Sequence, residues 1–159
     1  MKKTVLATFA LLLSFFAVKA QDSKRGLDPI QWTYEVSNLG NGRYDLVFHA
    51  KLDKGWHIFS QTPGGDGSLI APTFEVPAAI IASKENPLLL EEKGKVISQL
   101  MEGIDGKVNY YENTVDFVAH IQLKPQEART IKGTHVYQLC NETTCLAPKS
   151  KEFTFEVKP

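Results

Sequence analysis

The sequence has few cysteines, no excess of charge and no long apolar run beyond its first 20 residues. Only two of its 159 residues are cysteines, and 18 basic residues balance 18 acidic ones. This balance argues against a nucleic-acid-binding protein, which is usually strongly basic. The sequence has no long amphipathic helical pattern and no internal repeat, which argues against helical bundles and repeat arrays. It also lacks paired carboxylates and a serine–histidine pattern, so a hydrolase is not expected.

The first 20 residues have the composition of a signal peptide. Lys2 and Lys3 precede an apolar run over residues 5–18, and the segment ends at Ala20. The run is shorter than the roughly 20 residues that a membrane-spanning helix needs. A charged start, an apolar middle and a small residue at the end are typical of a cleaved export signal. We therefore predict a soluble periplasmic protein that does not insert into the membrane after cleavage. An uncleaved N-terminal anchor is the alternative.

Alternating apolar and polar residues dominate the remainder of the chain. After a flexible lead-in at residues 21–29, residues 30–159 are predicted to form one domain. The clearest strand has apolar residues at every second position, namely Tyr44, Leu46, Phe48, Ala50 and Leu52. A period of two is typical of a strand with one buried face. About seven to nine such strands predict an all-β protein with an immunoglobulin-like antiparallel β-sandwich. A β-barrel is the alternative architecture.

Two loops, one long strand and one aromatic pair are predicted within this domain. Three glycines and a proline predict an exposed loop at residues 62–68, and two glycines predict another at residues 101–106. A single strand is predicted over residues 130–140. Tyr110 and Tyr111 are neighbours on another predicted strand, so they should point to opposite faces. Only one of the two is therefore expected to face the core.

The two cysteines lie close together near the end of the chain. Cys140 and Cys145 enclose the polar segment 141–144, whose composition predicts the loop of a hairpin. A hairpin brings such residues within the Cα separation of about 4.4–6.8 Å that a disulfide tolerates. Closing so small a loop stabilises a fold by only about 2 kcal/mol, whereas a reversible bridge needs an accessible sulfur. Most disulfides of exported proteins are structural, so a staple and a redox site both remain open.

A metal site is a third possibility for the two thiols. His57 or His135 could join Cys140 and Cys145 as ligands. However, the spacing matches no common zinc pattern, and an oxidising compartment favours a disulfide. The sequence also lacks the C-x-x-C motif of thioredoxin-like sites. We therefore expect no metal and no other cofactor.

Three short motifs occur in an order similar to that of a known redox family. They are Gly55-Trp56-His57-Ile58-Phe59, Tyr111-Glu112-Asn113-Thr114-Val115, and Tyr137-Gln138-Leu139-Cys140 followed by Cys145 and Pro148. Together they resemble the N-terminal periplasmic domain of the DsbD thiol:disulfide interchange protein, over roughly residues 28–158. The resemblance implies an immunoglobulin-like domain with a redox-active disulfide. It also implies that Cys145 exchanges with partner proteins and that Cys140 is its internal mate.

The resemblance implies a thiol:disulfide oxidoreductase that relays electrons. In the family, the domain receives electrons from a thioredoxin-like domain through a membrane partner and passes them to periplasmic disulfide proteins. The implied partners are therefore periplasmic thioredoxin-like or disulfide-isomerase-like proteins. Because the sequence ends at Pro159, the donor is expected to be a separate protein, such as a membrane thiol transporter. The rival hypothesis is a non-catalytic exported binding module with a structural hairpin disulfide.

The same resemblance places a cap loop over the disulfide. In the family, this loop covers the disulfide until a partner docks. The corresponding segment is Glu102–Gly106, and Ile104 stands where the family has a shielding phenylalanine. The aromatic residues predicted to pack around the sulfurs are Trp56, Phe59, Tyr110 and Tyr111. Ordinary core packing is the alternative role for Trp56 and Phe59.

Overall fold

The computed structural model describes residues 28–81, 90–124 and 128–158. The predicted signal peptide at residues 1–20 and most of the predicted lead-in lie outside these ranges, so the predicted domain boundaries stay predictions. Within the described ranges, no helix is both long enough and apolar enough to cross a membrane. The helical structure in these ranges is a single 3-10 turn, Ala78–Ile80.

Antiparallel strands make up most of the described chain. In order they are β1 (Ile30–Gly40), β2 (Arg43–Leu52), β3 (His57–Gly64), β4 (Thr73–Phe74), β5 (Glu91–Gly94), β6 (Ile97–Leu100), β7 (Lys107–Glu112), β8 (Thr114–Gln122), β9 (Arg129–Tyr137), β10 (Leu139–Cys140) and β11 (Lys149–Val157). The tight turn between β1 and β2 places Asn41 and Gly42 at positive φ, 55° and 75°. Asparagine and glycine adopt this left-handed conformation most readily, which is why this pair can connect the two strands.

The strands form three antiparallel sheets. Sheet 1 has the order β1-β2-β8-β5, sheet 2 the order β10-β3-β7-β6, and sheet 3 the order β11-β9-β4. β9 ends at Tyr137 and β10 begins at Leu139, so the chain passes from sheet 3 into sheet 2 across one residue. Side chains of sheets 2 and 3 pack with those of sheet 1 in one main core. The architecture confirms the predicted all-β, immunoglobulin-like antiparallel β-sandwich.

The alternation predicted for β2 forms the inner face of sheet 1. Every apolar member of that pattern is buried, from Tyr44 to Leu52. At its centre, the ring of Phe48 lies 4.8 Å from that of Phe153 and 5.0 Å from that of Phe155, both edge-on. Such aromatic pairs contribute about 0.5–1.5 kcal/mol each beyond the burial of their area. Sheets 1 and 3 are therefore joined by aromatic packing at the middle of the sandwich.

Two strand boundaries differ from the sequence prediction. The loop predicted over residues 62–68 begins later, because β3 continues to Gly64 and the amide of Gly65 still donates to the carbonyl of Lys107, at 3.0 Å. The strand predicted over residues 130–140 is interrupted at Gln138. Its side-chain amide donates to the carbonyl of Leu146 at 3.0 Å, where the chain changes sheets. Composition predicts turns, but it does not reveal a strand that changes partners.

Tyr110 and Tyr111 point to opposite faces of sheet 2, as predicted for neighbours on a strand. Tyr111 belongs to the main core and Tyr110 does not, which confirms that only one of the two faces the core. Tyr110 belongs to a second cluster, which consists of Phe59, Val108, Tyr110 and Cys140. Both tyrosines are therefore buried, at 5% and 4% exposure, because this cluster covers the other face of the sheet.

The main core encloses a neutral histidine. His135 is only 1% exposed, and its ring lies 4.4 Å from that of Trp32 and is stacked 5.7 Å from that of Phe74. The hydroxyl of Tyr34 hydrogen-bonds to its Nε2 at 3.0 Å. Burial lowers the pKa of His135 to about 4, and the positive charge of Lys151 acts in the same direction. Protonation of this histidine therefore stabilises the unfolded chain relative to the folded one.

Because of this shift, the protein is expected to lose stability in mild acid. His135 binds a proton at about pH 6.5 in the unfolded chain but only at about pH 4 in the fold. The unfolded state thus binds more protons between these values, so the free energy of unfolding falls as the pH falls, by up to about 3 kcal/mol from this residue. Urea unfolding of the wild type and His135→Phe at pH 7 and pH 4.5 measures this difference.

In His135→Phe the loss of stability between the two pH values should be smaller than in the wild type. It should not vanish, because burial also lowers the pKa of His57 to about 4. Leu39→Ala, at an exposed residue of β1, is the control because it removes no titratable group, and it should keep the wild-type pH dependence. Equal pH dependence in His135→Phe and the wild type would contradict the assignment.

Candidate redox site

Cys140 and Cys145 form a disulfide at the tip of a hairpin. They face each other in an antiparallel bridge, with their Cα atoms 4.0 Å apart. On one side of the bridge, the amide of Leu146 donates to the carbonyl of Leu139; on the other, the amide of Asn141 donates to the carbonyl of Thr144, both at 2.9 Å. Backbone hydrogen bonds thus flank the disulfide on both sides. They hold the two cysteines in register independently of the sulfur–sulfur bond.

The side chain of Asn141 orders the loop between the cysteines. Its Oδ1 accepts hydrogen bonds from the amides of Thr143 and Thr144, both at 2.9 Å, and from the hydroxyl of Thr143 at 3.1 Å. Asparagine favours turns because its side chain can satisfy backbone amides two or three residues further on. The polar loop predicted from composition is therefore a turn closed by one asparagine.

The two cysteines differ sharply in exposure. Cys140 is 2% exposed and belongs to the second cluster, whereas Cys145 is exposed. The pairing of β10 with β3 causes this difference, because it places Cys140 directly across from His57 inside sheet 2. Exchange requires direct access of an attacking group to a sulfur. A partner protein therefore has access to Cys145 but not to Cys140.

The disulfide lies in an open groove of about 770 Å³. Besides the two cysteines, the groove is lined by residues of β3, β6, β7, the predicted cap loop and the loops beside them, among them His57, Phe59, Leu69, Met101, Ile104 and Tyr110. Its volume lies in the range of small-molecule sites, about 300–1,000 Å³. The groove thus joins an accessible sulfur to a partly apolar surface, which suits contact with another protein.

The charged residues that line the groove are all acidic. They are Glu102, Glu112 and Glu142, and among the described residues no lysine or arginine lines it. Nearby negative charge raises the pKa of a thiol because it disfavours the thiolate. The groove therefore lacks the cationic side chain that commonly activates a reactive cysteine. Among all the described residues, no group of three or more histidine, cysteine, aspartate or glutamate side chains could hold a metal ion.

Ile104 of the predicted cap loop packs against the second cluster, which contains Cys140. Its amide donates to the carbonyl of Met101 at 3.2 Å, which fixes the turn of the loop. The neighbouring loop approaches closely at Gly65, which has a φ of 69°. A Cβ atom there would lie 2.9 Å from Cγ2 of Ile104. The lack of a side chain at Gly65 therefore lets the loop after β3 pack against Ile104.

The aromatic residues predicted to surround the sulfurs divide between two places. Phe59 lines the groove together with the cysteines and Ile104. Trp56 and Tyr111 pack against the main core instead. The hydroxyl of Tyr111 donates to a carboxylate oxygen of Glu92 at 2.9 Å. Burial and this contact raise the pKa of Tyr111 far above its usual value, so its hydroxyl stays protonated.

His57 is a groove residue to which the sequence analysis assigned no redox role. It is 8% exposed, and its ring lies 4.6 Å from that of Tyr110 and 5.4 Å from that of Phe59. Its Nε2 is buried and has no hydrogen-bond partner among the described residues. Strand alternation could have predicted this position. Residues two apart on a strand share a face, so His57 must lie on the same face as Phe59.

The comparison with protein families matches residues 28–157 to the family described as "Thiol:disulfide interchange protein DsbD, N-terminal". The chain belongs to the DsbD N-terminal domain family. The match includes both cysteines and all described residues except Lys158, and it confirms the resemblance drawn from the three sequence motifs. A comparison with curated proteins found no significant match.

Three solved structures are similar to this chain, and the first of them shares its fold. The N-terminal periplasmic domain of ScsB from Proteus mirabilis is 13% identical, with a TM-score of 0.54; the match covers 83% of this chain and 47% of that one. The chain thus spans about half the length of that relative. The reduced DsbD N-terminal domain of Neisseria meningitidis is 19% identical, with a TM-score of 0.39, over 80% of this chain and 86% of that one. The same domain, in its complex with the PilB N-terminal domain, is 19% identical, with a TM-score of 0.37; the match covers 77% of this chain and 80% of that one.

Shortening Ile104 should speed reduction of the disulfide without changing its equilibrium. Ile104→Ala removes apolar atoms that pack beside Cys140, so a small reductant should reach the sulfurs more often. We expect a several-fold higher rate of reduction by dithiothreitol, followed by alkylation at timed intervals. The reduction potential should stay close to that of the wild type, because the hairpin contacts are unchanged.

Leu39→Ala is the control for this experiment, since Leu39 is an exposed aliphatic residue on β1 of sheet 1. It should leave both the rate and the potential unchanged. A wild-type rate in Ile104→Ala would show that Ile104 does not shield the disulfide.

Proposed function

We propose that this domain transfers electrons between a reductant and partner disulfide proteins through the reversible Cys140–Cys145 disulfide. Membership of the DsbD N-terminal domain family and the disulfide-bonded pair fit thiol–disulfide exchange. The observation that carries the proposal is the unequal exposure of the two cysteines in the groove. An accessible cysteine with a buried mate suits a reaction in which one sulfur meets the partner and the other resolves the intermediate.

The proposed reaction begins from the reduced pair. The thiolate of Cys145 attacks a disulfide of the partner and forms a mixed disulfide, and the other partner sulfur leaves as a thiolate. Cys140 then attacks the sulfur of Cys145, the Cys140–Cys145 bond forms, and the second partner sulfur leaves with its electron pair. Two electrons have then passed to the partner, and the domain is oxidised. The reverse sequence with a dithiol reductant restores the reduced pair.

A purely structural role explains the hairpin less well. Backbone hydrogen bonds and the Asn141 side chain already hold the turn. A bridge that closes so short a loop adds only about 2 kcal/mol through the unfolded state. The disulfide thus contributes little that the hairpin lacks, whereas exposure of Cys145 at the groove is what exchange requires.

The proposed setting is the periplasm, to which the predicted signal peptide would direct the chain. Periplasmic thioredoxin-like or disulfide-isomerase-like proteins are the proposed partners, with a separate membrane thiol transporter as the source of electrons. The family assignment supports this setting. The acidic groove adds a constraint, because a partner with basic residues around its reactive sulfur would be attracted to it.

The test of the proposal is the reduction potential of the Cys140–Cys145 pair. Equilibration in glutathione and dithiothreitol buffers, followed by alkylation and a gel shift, gives the fraction reduced. A reversible bridge should have a potential well above about −300 mV, the level below which structural disulfides of secreted proteins usually lie. A potential below that level would leave the non-catalytic binding module as the better description.

The two cysteine variants should trap partners unequally. Cys140→Ala removes the resolving sulfur, so Cys145 should remain locked in a mixed disulfide with its partner. Cys145→Ala is the matched control and should trap little, because its remaining sulfur is buried. Non-reducing gels of periplasmic extracts, with dithiothreitol added to release the adducts, measure both. Equal trapping by the two variants would contradict the assigned roles.

A further inference from the structure

Among the described residues, three buried side-chain nitrogens have no hydrogen-bond partner, on Trp32, His57 and His135, and His57 is the one of these that lines the groove. His57 is 8% exposed, and its Nε2 is buried without a hydrogen-bond partner among the described residues. Native folds rarely leave a buried polar atom unpaired, because it loses its bonds to water and gains none in return. Such exceptions suggest a catalytic role or a partner that is present only in another state. Phenylalanine would fill the same space without an unpaired nitrogen.

The position of His57 in sheet 2 indicates the group that it serves. His57 pairs with Cys140 of β10 on one side and with Glu112 of β7 on the other. Directly paired residues of neighbouring strands point to the same face and lie about 4.5–5.5 Å apart. The three side chains therefore form one row across the sheet, and all three line the groove. An imidazole lies between a cysteine and a carboxylate.

The reaction requires a base at this place. Cys140 must become a thiolate before it can attack the mixed disulfide. It is 2% exposed, and burial in apolar surroundings raises the pKa of a thiol. The carboxylates of Glu102, Glu112 and Glu142 line the same groove and act in the same direction. Bulk water has little access to the thiol, so a proton acceptor within the fold is needed.

We propose that His57 is the proton acceptor that activates Cys140 for the resolving step. This inference rests on the proposed exchange function and assigns a residue to its second step. A ring nitrogen of neutral His57 takes the proton of the Cys140 thiol, and the thiolate attacks the sulfur of Cys145. The Cys140–Cys145 bond forms as the bond from Cys145 to the partner breaks. The partner sulfur leaves with the electron pair as a thiolate, which the imidazolium or water then protonates.

The groups that face His57 favour this role. Burial lowers the pKa of His57 to about 4, so the ring is neutral at neutral pH and its lone pair is free. The same burial makes the ring a weak base, so proton transfer depends on the neighbouring charges that stabilise the imidazolium. On β3 and β7 it contacts the rings of Phe59 and Tyr110, and burial raises the pKa of Tyr110. The carboxylate of Glu112 flanks its other side. Once the proton moves, the imidazolium lies between a thiolate and a carboxylate, and both stabilise its charge.

The test uses 5,5′-dithiobis(2-nitrobenzoate) as the disulfide and the reduced protein as the thiol. Attack by Cys145 releases the first thionitrobenzoate, and attack by Cys140 on the mixed disulfide releases the second. His57→Phe should leave the first release unchanged and slow the second by about tenfold or more near pH 6.5, a loss typical of a missing general base. The difference should shrink as the pH rises, because hydroxide then ionises a growing fraction of the thiol without the histidine.

His57→Gln and His120→Gln complete the experiment. His57→Gln keeps a polar side chain but cannot accept a proton at neutral pH, so it should share the pH-dependent defect even if His57→Phe folds poorly. His120→Gln makes the same change at an exposed position of β8 in sheet 1 and should match the wild type. A second release that is unchanged, or slowed equally at every pH, would overturn the assignment of His57. Failure of even the first release in the wild type would overturn the exchange function itself, and this inference with it.

Discussion

The whole site depends on one short pairing between strands. β10 has only two residues, and both pair with β3, Leu139 with Ile58 and Cys140 with His57. This contact fixes the hairpin to sheet 2 with Leu139 in the main core and Cys140 in the second cluster. Cys145 pairs with Cys140 on the side of β10 away from β3, at the edge of sheet 2, and is exposed. The difference in exposure between the two cysteines thus follows from the register of two residue pairs.

Sheet 2 can hold the site because it is buried on both faces for different reasons. Its inner face packs with sheets 1 and 3 through Ile58, Tyr111 and Leu139, and apolar burial of this kind supplies most of the stability of a domain. Its outer face carries the second cluster and the groove. Because the inner face supports the fold, the outer face is free to keep an unpaired histidine and a shielded disulfide. Neither the unpaired histidine nor the disulfide would contribute much to the stability of the fold.

The sequence predicted the fold better than the site, for a physical reason. The alternation from Tyr44 to Leu52 is a local pattern, and it identified the inner face of β2 correctly. The family resemblance implied the position of Ile104, and Phe59 was one of four aromatic residues predicted near the sulfurs; both lie at the cluster that contains Cys140. Burial of Tyr110 and the groove position of His57 depend instead on which strand lies beside which and on what covers the outer face. A single sequence does not contain such non-local information. It shows only that His57 and Phe59, two residues apart on one strand, share a face.

The charges of the groove suit an electron donor. A fixed lysine or arginine beside Cys140 would stabilise its thiolate at all times, and stabilising the reduced form makes a disulfide a stronger oxidant. The glutamates of the groove have the opposite effect, because they disfavour the thiolate and thereby favour release of electrons. Their cost is kinetic, since fewer thiolates are available for attack. A neutral imidazole offsets that cost during the reaction alone, because it gains its charge only when the proton leaves Cys140. In the proposed exchange, the glutamates would thus favour release of electrons, and His57 would offset their effect on the rate of the resolving step.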